Sequence, residues 1–566
     1  MKLQTALLGA AASLSMAGAA YADRGSDGHV NVLYWQAPSI MNPYLSGGTK
    51  DLEASSLVLE PLAGFDEKGV VFPRLVVDVP TVANGGVAKD LTSITWKLKP
   101  GLLWADGTPV TSADVKFTYD YCKAPDGGCA QASKFEGVKS VETPDAATIV
   151  ITFTAPKPNP YVSFVGATAP VLQAKQFAKC VGAAAPTCTE ANTMPVGTGP
   201  FKVKTFKTND TVELEANPNY RDPKKPAFAT MTLKGGGDAE AAARAVMETG
   251  EFDYGWNTQV NPEMQTQMAA GGKGHFVNAF GTLTERLEMN LTDPSADLSA
   301  DERSTVKHPH PILADVNVRK ALSMAIDRQA LVDVGYGTAG KPTCNIVPAP
   351  EAFASDNVDC IKQDMAGAKA MLDKAGWKVG ANGIREKAGK KLHLVFQSTV
   401  NPVRQDFQSL IKSWWTELGV DVELKTIDAS VFFGGDAGSP DTYQKFYADV
   451  EMFANNFDGT DPEAFLAQLK CDKIASPATQ WQGENVPRFC DKAYDELAVK
   501  MSGTADMAER GKLAKAMNDV ITKTNYATVP LVDRGRLSAV SNKLGGVVLN
   551  VWDSEIWNTQ DWTRTK

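Results

Sequence analysis

A chain of 566 residues is too long to fold around one hydrophobic core, so we expect two to four domains. Its formal charge of −9 argues against nucleic acids and anionic membrane surfaces as general partners. Beyond the amino terminus, no stretch reaches the roughly 20 apolar residues that a membrane-spanning helix needs. These features predict a soluble, acidic, multidomain protein.

The amino terminus has the pattern of a cleaved export signal. Lys2 precedes an apolar run of small residues, and the run ends in Ala20-Tyr21-Ala22, which fits the small-x-small rule for cleavage. A membrane anchor is the alternative, but the apolar core is too short to span a bilayer comfortably. Residues 1–22 are therefore predicted to be a signal peptide. No Cys ends the run, which favours a free periplasmic protein over a lipid-anchored one.

Strand and helix patterns are mixed along the whole chain, which indicates an α/β fold. Alternating or β-rich runs predict strands at 30–35, 91–98, 146–153 and 420–424. Capping signals and apolar periodicity predict helices at 111–121, 315–334, 363–375, 403–418 and 505–522. No repeat with a period of a few tens of residues is evident, which argues against solenoids and propellers.

The eight cysteines fall into four couples that are close in sequence. Short loops close most easily, and an export signal leads to an oxidising compartment, so we favour the nearest-neighbour pairing over the many other connectivities. The expected disulfides are Cys122–Cys129, Cys180–Cys188, Cys344–Cys360 and Cys471–Cys490. A metal site is the alternative, but the chain has no CxxC spacing and its five histidines are scattered. We expect no metal and no other cofactor.

Several motifs, in a fixed order, resemble the family 5 extracellular solute-binding proteins. These are the dipeptide-, oligopeptide- and nickel-type periplasmic receptors of ABC importers. The matching segments are residues 96–101 and 104–118, which read WKLKPG and WADGTPVTSADVKFT, 195–201 (PVGTGPF), 217–220 (NPNY) and 318–328 (VRKALSMAIDR). Most of these motifs specify turns and a buried helix face, so they indicate the fold and not the ligand.

The resemblance implies a two-lobed periplasmic-binding-protein fold of type II with an extra inserted domain. Lobe I would consist of residues 23–65, 195–290 and 528–566, the inserted domain of 66–194, and lobe II of 291–527. Hinge strands are expected near 287–290 and 528–531, and the lobes would close over a ligand. An inner-membrane ABC permease is the implied partner, and we expect a monomer that binds no nucleic acid.

The segment 453–465 resembles the cleft loop of the peptide receptors. In that family an aspartate three residues before an acid-Pro pair holds the ligand α-ammonium, and this position is Asp458. Its neighbours Asn456 and Phe457 are predicted ligand contacts as well, whereas Asp461 is also a candidate helix cap. The peptide receptors commonly carry a Trp just before this loop, where Phe453 and Asn455-Asn456 stand here. Paired amides suit a ligand with hydroxyls or carbonyls.

Further candidate contacts rest on similarity of location. Trp256 could stack on a ligand or pack in the core, and Asn257 could read an amide. Arg286 and Arg404 could each bind a carboxylate or serve as ordinary structural arginines. Gly48 and Thr49 lie in a loop where the receptors approach the ligand with backbone groups.

The sequence also bears on whether the protein is an enzyme and on which ligand a receptor of this kind would bind. A periplasmic hydrolase is the alternative class, but the chain has neither a G-x-S-x-G elbow nor an H-E-x-x-H helix, so we expect no enzyme. Among receptors, the leading ligand is a short peptide or amino-acid derivative. The runner-up is an opine, oligosaccharide or other polyhydroxy compound.

Overall fold

A computed structural model describes residues 23–565, so the predicted signal peptide lies outside the described residues. Two large sheets dominate the fold. The first has seven strands, in the order Gly274–Ala279, Arg536–Ser541, Tyr254–Gly255, His29–Leu33, Thr230–Lys234, Thr211–Ala216 and Phe201–Lys207. The second has six, in the order Gly340–Pro342, Thr528–Arg534, Thr284–Met289, Val450–Asn455, His393–Thr399 and Asp421–Ile427. The fold is the two-lobed α/β type.

The longest helix, Pro402–Leu418, shows why the six-stranded sheet has helices on it. The Asn401 side chain caps its first turn by accepting a hydrogen bond from the Arg404 N–H at 3.0 Å. Gly419 ends it with a φ of 93°, a conformation that favours glycine. Its inward residues recur every three or four positions and are fully buried against the sheet: Val403, Phe407, Ile411, Trp415 and Leu418.

The inserted domain is built on a smaller three-stranded sheet. Its strands are Ser93–Lys97, Thr148–Phe153 and Val138–Asp145, with Thr148–Phe153 in the centre. The predicted helix at 111–121 is confirmed as Ser112–Lys123, and it begins with a capping box between Thr111 and Asp114. The sheet and this helix enclose their own core, which includes Trp96 and Trp104.

The chain passes directly between the two large sheets at two places. Strand Gly274–Ala279 of the seven-stranded sheet leads into Thr284–Met289 of the six-stranded sheet through residues 280–283. Only Gly535 separates Thr528–Arg534 from Arg536–Ser541. Strands 284–289 and 528–534, which the sequence placed in lobe I, thus lie in the sheet of lobe II. The lobe boundaries stay a prediction, and the names lobe I, lobe II and inserted domain are kept below for the predicted segments.

The stretch 315–334 differs from its prediction as one helix. It forms two helices, Val316–Met324 and Arg328–Gly335. The carboxylate of Asp327 accepts a hydrogen bond from the Ala330 N–H at 3.0 Å and so caps a new helix in the middle of the apolar pattern. The periodicity continues across the break, which is why the sequence reads as continuous.

The remaining helices surround these sheets. The α-helices are Thr49–Ser55, Ala174–Phe177, Thr189–Thr193, Ala239–Arg244, Pro262–Ala269, Met365–Lys374, Ala429–Phe432, Glu463–Ala467, Lys492–Gly503 and Met507–Asp519. Disulfides join all eight cysteines in the four predicted pairs. Within residues 23–565, no helix combines the length and the apolar character needed to cross a membrane.

Candidate functional site

A cleft between the two large sheets holds two adjoining cavities. The first takes its walls from lobe I, lobe II and the inserted domain. The second is lined by both lobes. The two share a wall that includes Thr49, Glu53, Tyr443 and Asn456. A cleft at a junction between domains is typical of a small-ligand site.

Asp458 lies in the wall of the first cavity with its side chain 7% exposed. The Thr168 hydroxyl donates a hydrogen bond to Asp458 Oδ2, and Lys134 Nζ lies 3.6 Å from the same oxygen. Both partners belong to the inserted domain. Asp458 is therefore a desolvated carboxylate whose position is set by residues far away in sequence, with Thr168 at a separation of 290 positions.

Hydrogen bonds made by the residues just before Asp458 hold this part of the loop in place. The Phe457 N–H donates to Thr282 Oγ1 at 3.3 Å, while the Thr282 hydroxyl donates to the Phe457 carbonyl at 2.9 Å. Asn455 Oδ1 accepts a hydrogen bond from the Asn456 N–H at 2.9 Å. Asn455 and Asn456 both line the two cavities and are half-buried, so part of each amide faces the cleft.

Asp461, the second acid of the loop, serves a different purpose. Arg510 Nη2 lies 2.6 Å from Asp461 Oδ2, and Asp461 Oδ1 accepts the Glu463 N–H at 3.0 Å. The carboxylate thus joins the start of helix Glu463–Ala467 to helix Met507–Asp519 of the same lobe. Pro462 occupies the N-cap position and no side chain caps this helix, so Asp461 acts through its pair with Arg510, and it also lines the first cavity.

Arg286 crosses the first cavity and keeps much of its hydrogen-bonding capacity. Its Nε lies 2.6 Å from Glu288 Oε1, and its guanidinium lies over the rings of Phe453 and Phe465 at 5.7 and 5.6 Å. Among residues 23–565, Glu288 is the only side chain paired with it through a polar group. The Nη groups of this 6% exposed arginine are therefore available to an anionic group in the cavity.

In the second cavity, Trp256 and Asn257 are held by protein groups. Trp256 is 2% exposed, stacks on Tyr34 with a ring separation of 4.1 Å, and donates through Nε1 to Glu53 at 2.7 Å. Asn257 has a φ of 49°, and its side-chain oxygen accepts hydrogen bonds from Arg534 at 3.2 and 3.3 Å. One face of Trp256 thus packs in the core, while both residues still line the cavity.

Arg404 also lines the second cavity, but a protein carboxylate already pairs with it. Its Nε donates to Glu285 Oε1 at 2.7 Å, and Nη1 donates to Thr399 Oγ1 at 2.9 Å. Arg534 lies 3.5 Å from the other oxygen of Glu285. Burial opposes ionisation, yet the charges of Arg404 and Arg534 lower the pKa of Glu285 below its usual value. Carboxylate binding by Arg404 therefore requires sharing with Glu285.

The loop before helix Thr49–Ser55 brings lobe I into close contact with lobe II. A Cβ on Gly48 would lie 2.9 Å from the Phe433 carbonyl oxygen, and one on Gly47 would overlap the Tyr443 hydroxyl. Glycine therefore permits the close approach of the lobes. Thr49 and Gly47 line both cavities, whereas Gly48 lines neither.

Buried acids give the cleft an unusual electrostatic character. Burial raises the pKa of Glu53 to about 7, although Arg536 lies 2.8 Å away and opposes the shift. Burial likewise raises the pKa of Glu484 to about 7, against the charge of Lys473. The Ser133 hydroxyl donates to Glu484 at 2.8 Å. Both acids line the first cavity, so its wall holds two carboxyl groups whose pKa is raised to about 7.

Sequence reasoning missed several residues of the cleft. Lys134, Thr168 and Glu484 reach it only because the inserted domain docks on lobe II, and no local pattern marks that docking. Glu53 and Arg536 lie 483 positions apart. No helix is predicted over Thr49–Ser55, so no sequence signal points to Glu53. Within residues 23–565, no group of three or more His, Cys, Asp or Glu side chains is placed to hold a metal ion.

The chain matches a known protein family over most of its length. The model of the bacterial extracellular solute-binding proteins, family 5 Middle, matches residues 79–476. The chain belongs to this family. Since the match begins inside the inserted domain and ends in lobe II, it covers most of the cleft-lining residues.

Relatives of this family 5 protein extend the similarity to nearly the whole chain. A Brucella ovis protein, assigned by name to peptide binding in an ABC transporter, is 25% identical over 510 residues, 86% of this chain and 88% of its own. The glutathione-binding protein GsiB of Salmonella typhimurium is 24% identical over 508 residues, 89% of each chain. The oligopeptide-binding protein AppA from Bacillus subtilis, solved with a nonapeptide, superimposes with a TM-score of 0.81 at 21% identity, covering 96% of this chain and 100% of AppA.

Proposed function

We propose that this protein is the periplasmic capture component of an ABC importer and that its ligand is a short peptide or an amino-acid derivative. Family membership and the names of the relatives support import. The ligand class rests on the cleft itself. A closed two-lobed fold with internal cavities favours a compound that is enclosed and then released to a permease.

Asp458 is the observation that carries the ligand class. A carboxylate that is 7% exposed in a cavity wall forms a strong charge-assisted hydrogen bond with an ammonium group. A ligand without the amine would leave a buried charge poorly compensated. Arg286, with free Nη donors in the same cavity, suits a carboxylate of the same ligand.

The lining of the cavities supports a ligand held between the domains. Residues of all three predicted domains line the two cavities together. A zwitterionic peptide of a few residues would place its ammonium near Asp458 and its carboxylate near Arg286. Longer ligands would require the lobes to separate.

Calorimetric titration with short peptides tests the proposal directly. Asp458→Asn keeps the shape but removes the charge, and we expect affinity for an amine-bearing peptide to fall about 30-fold or more, equivalent to about 2 kcal/mol. N-acetylation of the same peptide should have a similar effect on the wild-type protein. Asp301→Asn, on an exposed residue of lobe II, is the matched control. Unchanged affinity in Asp458→Asn would remove Asp458 from the site.

The paired amides support a second ligand class. Asn455 and Asn456 face both cavities, and amides bind hydroxyl and carbonyl groups well. An opine, oligosaccharide or other polyhydroxy compound is therefore the alternative. Native mass spectrometry of protein purified without denaturation separates the two classes, because a retained mass of sugar type would contradict the peptide assignment.

Incubation with a peptide mixture distinguishes a receptor from a hydrolase. Depletion of one component without new products indicates capture, whereas turnover indicates an enzyme. The predicted export is checked by the mass of the protein in a periplasmic extract, which should correspond to a chain starting near Asp23. Light scattering should give the mass of a monomer.

A further inference from the structure

Lys134 lies beside the aspartate that we propose to bind the ligand ammonium. Its Nζ is 3.6 Å from Asp458 Oδ2, and the two side chains are 11% and 7% exposed. Lys134 comes from the short turn Ala132–Phe135 of the inserted domain and lines the first cavity together with Asp458. A cation and an anion therefore lie side by side at the place where the ligand head would bind.

The ammonium of Lys134 has hydrogen-bonding capacity to spare. Among residues 23–565, Asp458 forms the only ion pair with Nζ, at a separation too long for a good hydrogen bond, and Glu484 acts on Lys134 through its charge alone. An ammonium group has three N–H donors and prefers anionic acceptors. A ligand acceptor next to Asp458 would fill this unused capacity.

The other acids nearby have partners of their own. Asp553 accepts hydrogen bonds from the backbone N–H groups of Phe65, Ala167 and Ser554 at 3.0, 2.8 and 2.8 Å. Glu484 accepts from the Ser133 hydroxyl at 2.8 Å and from the Ser133 N–H at 3.3 Å. Burial and the neighbouring charge of Asp458 raise the pKa of Asp553, so these two acids lie close together in the wall that Lys134 also lines. A ligand that brings only an ammonium would leave the Nζ donors of Lys134 without an acceptor.

Resting on the proposed capture of an ammonium by Asp458, we infer that Lys134 is a specificity-determining residue. Asp458 and Lys134 together bind both charges of an α-amino-acid head, the ammonium at Asp458 and the carboxylate at Lys134. Such a head occurs in free amino acids and in peptides linked through a side-chain carboxyl, such as γ-glutamyl peptides. The amino terminus of an ordinary α-linked peptide lacks it.

The distance between the two charges of this head matches the contact between the Asp458 and Lys134 side chains. In an α-amino acid, the ammonium and the carboxylate are attached to the same carbon, so both charges can meet two side-chain groups that are themselves in contact. In an α-linked peptide, the carbon that carries the ammonium carries a neutral amide instead. The amide can accept a hydrogen bond from Lys134, but a neutral acceptor binds an ammonium less strongly than a carboxylate does.

Two isomeric peptides test the inference with the protein as it exists. γ-Glutamyl-alanyl-glycine and α-glutamyl-alanyl-glycine have the same atoms and the same net charge, and they differ in whether a carboxylate adjoins the ammonium. In calorimetric titrations we expect the γ-isomer to bind at least tenfold more tightly. Equal affinities would overturn the role of Lys134 and leave the proposed ammonium capture intact. Binding of neither isomer, nor of free amino acids or other short peptides, would overturn both.

Variants of Lys134 test whether its side chain causes the difference in affinity between the two isomers. Lys134→Met should bring the ratio of the two affinities to within about twofold, while Lys134→Arg, which keeps the charge, should preserve the preference. Lys470→Met is the matched control, since Lys470 joins the same two domains but does not line the first cavity. A tenfold ratio that survives in Lys134→Met would overturn the inference even if the wild-type protein prefers the γ-isomer.

Discussion

Lys470 Nζ donates a hydrogen bond of 2.7 Å to Glu136 Oε1, and this contact joins lobe II to the inserted domain beside the ligand cavity. Lys473 Nζ lies 2.9 Å from the second oxygen of Glu136. Partial burial opposes ionisation, but the two lysines lower the pKa of Glu136 to about 2. Glu136 is therefore charged at neutral pH and holds the two domains together.

Replacing Glu136 should loosen this junction. We expect Glu136→Gln to weaken ligand binding about two- to fivefold at low salt, since a partly exposed ion pair contributes about 0.5–1 kcal/mol. Added salt should reduce the difference between variant and wild type. Glu417→Gln removes a more exposed pair with Lys369 in lobe II and is the calorimetric control. An equal effect of both variants would show that the junction does not influence binding.

The contact of Gly47 with Tyr443 should control closure of the cleft. A Cβ at residue 47 would overlap the Tyr443 hydroxyl, so Gly47→Ala should hold the lobes slightly apart and weaken ligand binding at least tenfold. Each lobe keeps its own core, so the melting temperature without ligand should change by no more than a few degrees. Gly503→Ala adds the same methyl group where nothing lies within 4 Å. Affinity should be unchanged there, and the same affinity in Gly47→Ala would contradict the argument.

Arg286 should discriminate between a ligand carboxylate and the corresponding amide. Removing Arg286 alone would leave Glu288 buried without its partner, so the balanced double variant Arg286→Met/Glu288→Gln is preferable. The wild-type protein should bind a peptide acid at least tenfold more tightly than its carboxamide, and the double variant should bind both equally. Calorimetry with both peptides on both proteins gives the coupling directly. A preference for the acid that persists in the double variant would place the carboxylate elsewhere.

Glu484 should make ligand binding depend on pH. Burial raises its pKa to about 7 in the closed cleft, whereas in an open cleft without the Ser133 contact it should titrate near its usual 4.5. An acid with a raised pKa favours closure fully below 4.5, and this contribution is lost as the pH rises to about 7. We expect affinity at pH 7.5 to be at least about tenfold weaker than at pH 5.

The comparison with Glu484→Gln isolates this effect. The variant mimics the protonated acid, so its affinity should fall less between pH 5 and 7.5 than that of the wild-type protein, and the remaining fall belongs to other groups such as Glu53, whose pKa burial also raises to about 7. A pH profile identical to that of the wild type would assign the dependence to another group. Glu302→Gln removes a negative charge elsewhere in lobe II and controls for that loss.

Local signals predicted much of the fold but only part of the cleft. Thr111 with Asp114, and Asn401 with Gly419, mark helix ends through contacts within a few residues, so a single sequence shows them. Asp458 could be found because its loop resembles a family motif. Lys134 could not, since it reaches Asp458 only after the inserted domain docks on lobe II.

Local sequence patterns also miss features that depend on tertiary structure. The apolar stripe from Val318 to Ile326 continues past Asp327, and nothing in it shows that Asp327 begins a new helix. The sequence around Asn401-Pro402 and Arg404 does not show which acid pairs with this arginine. Its partner Glu285 is 119 positions away and comes close only when helix and strand pack in the six-stranded sheet.

Each disulfide joins two cysteines that follow one another directly in the sequence, with separations of 7, 8, 16 and 19 residues. During the proposed export, the first cysteine of every couple would emerge shortly before its partner. An oxidase that couples thiols in their order of emergence makes the native set without reshuffling. Maturation should thus depend on an oxidising catalyst and proceed normally without a disulfide isomerase.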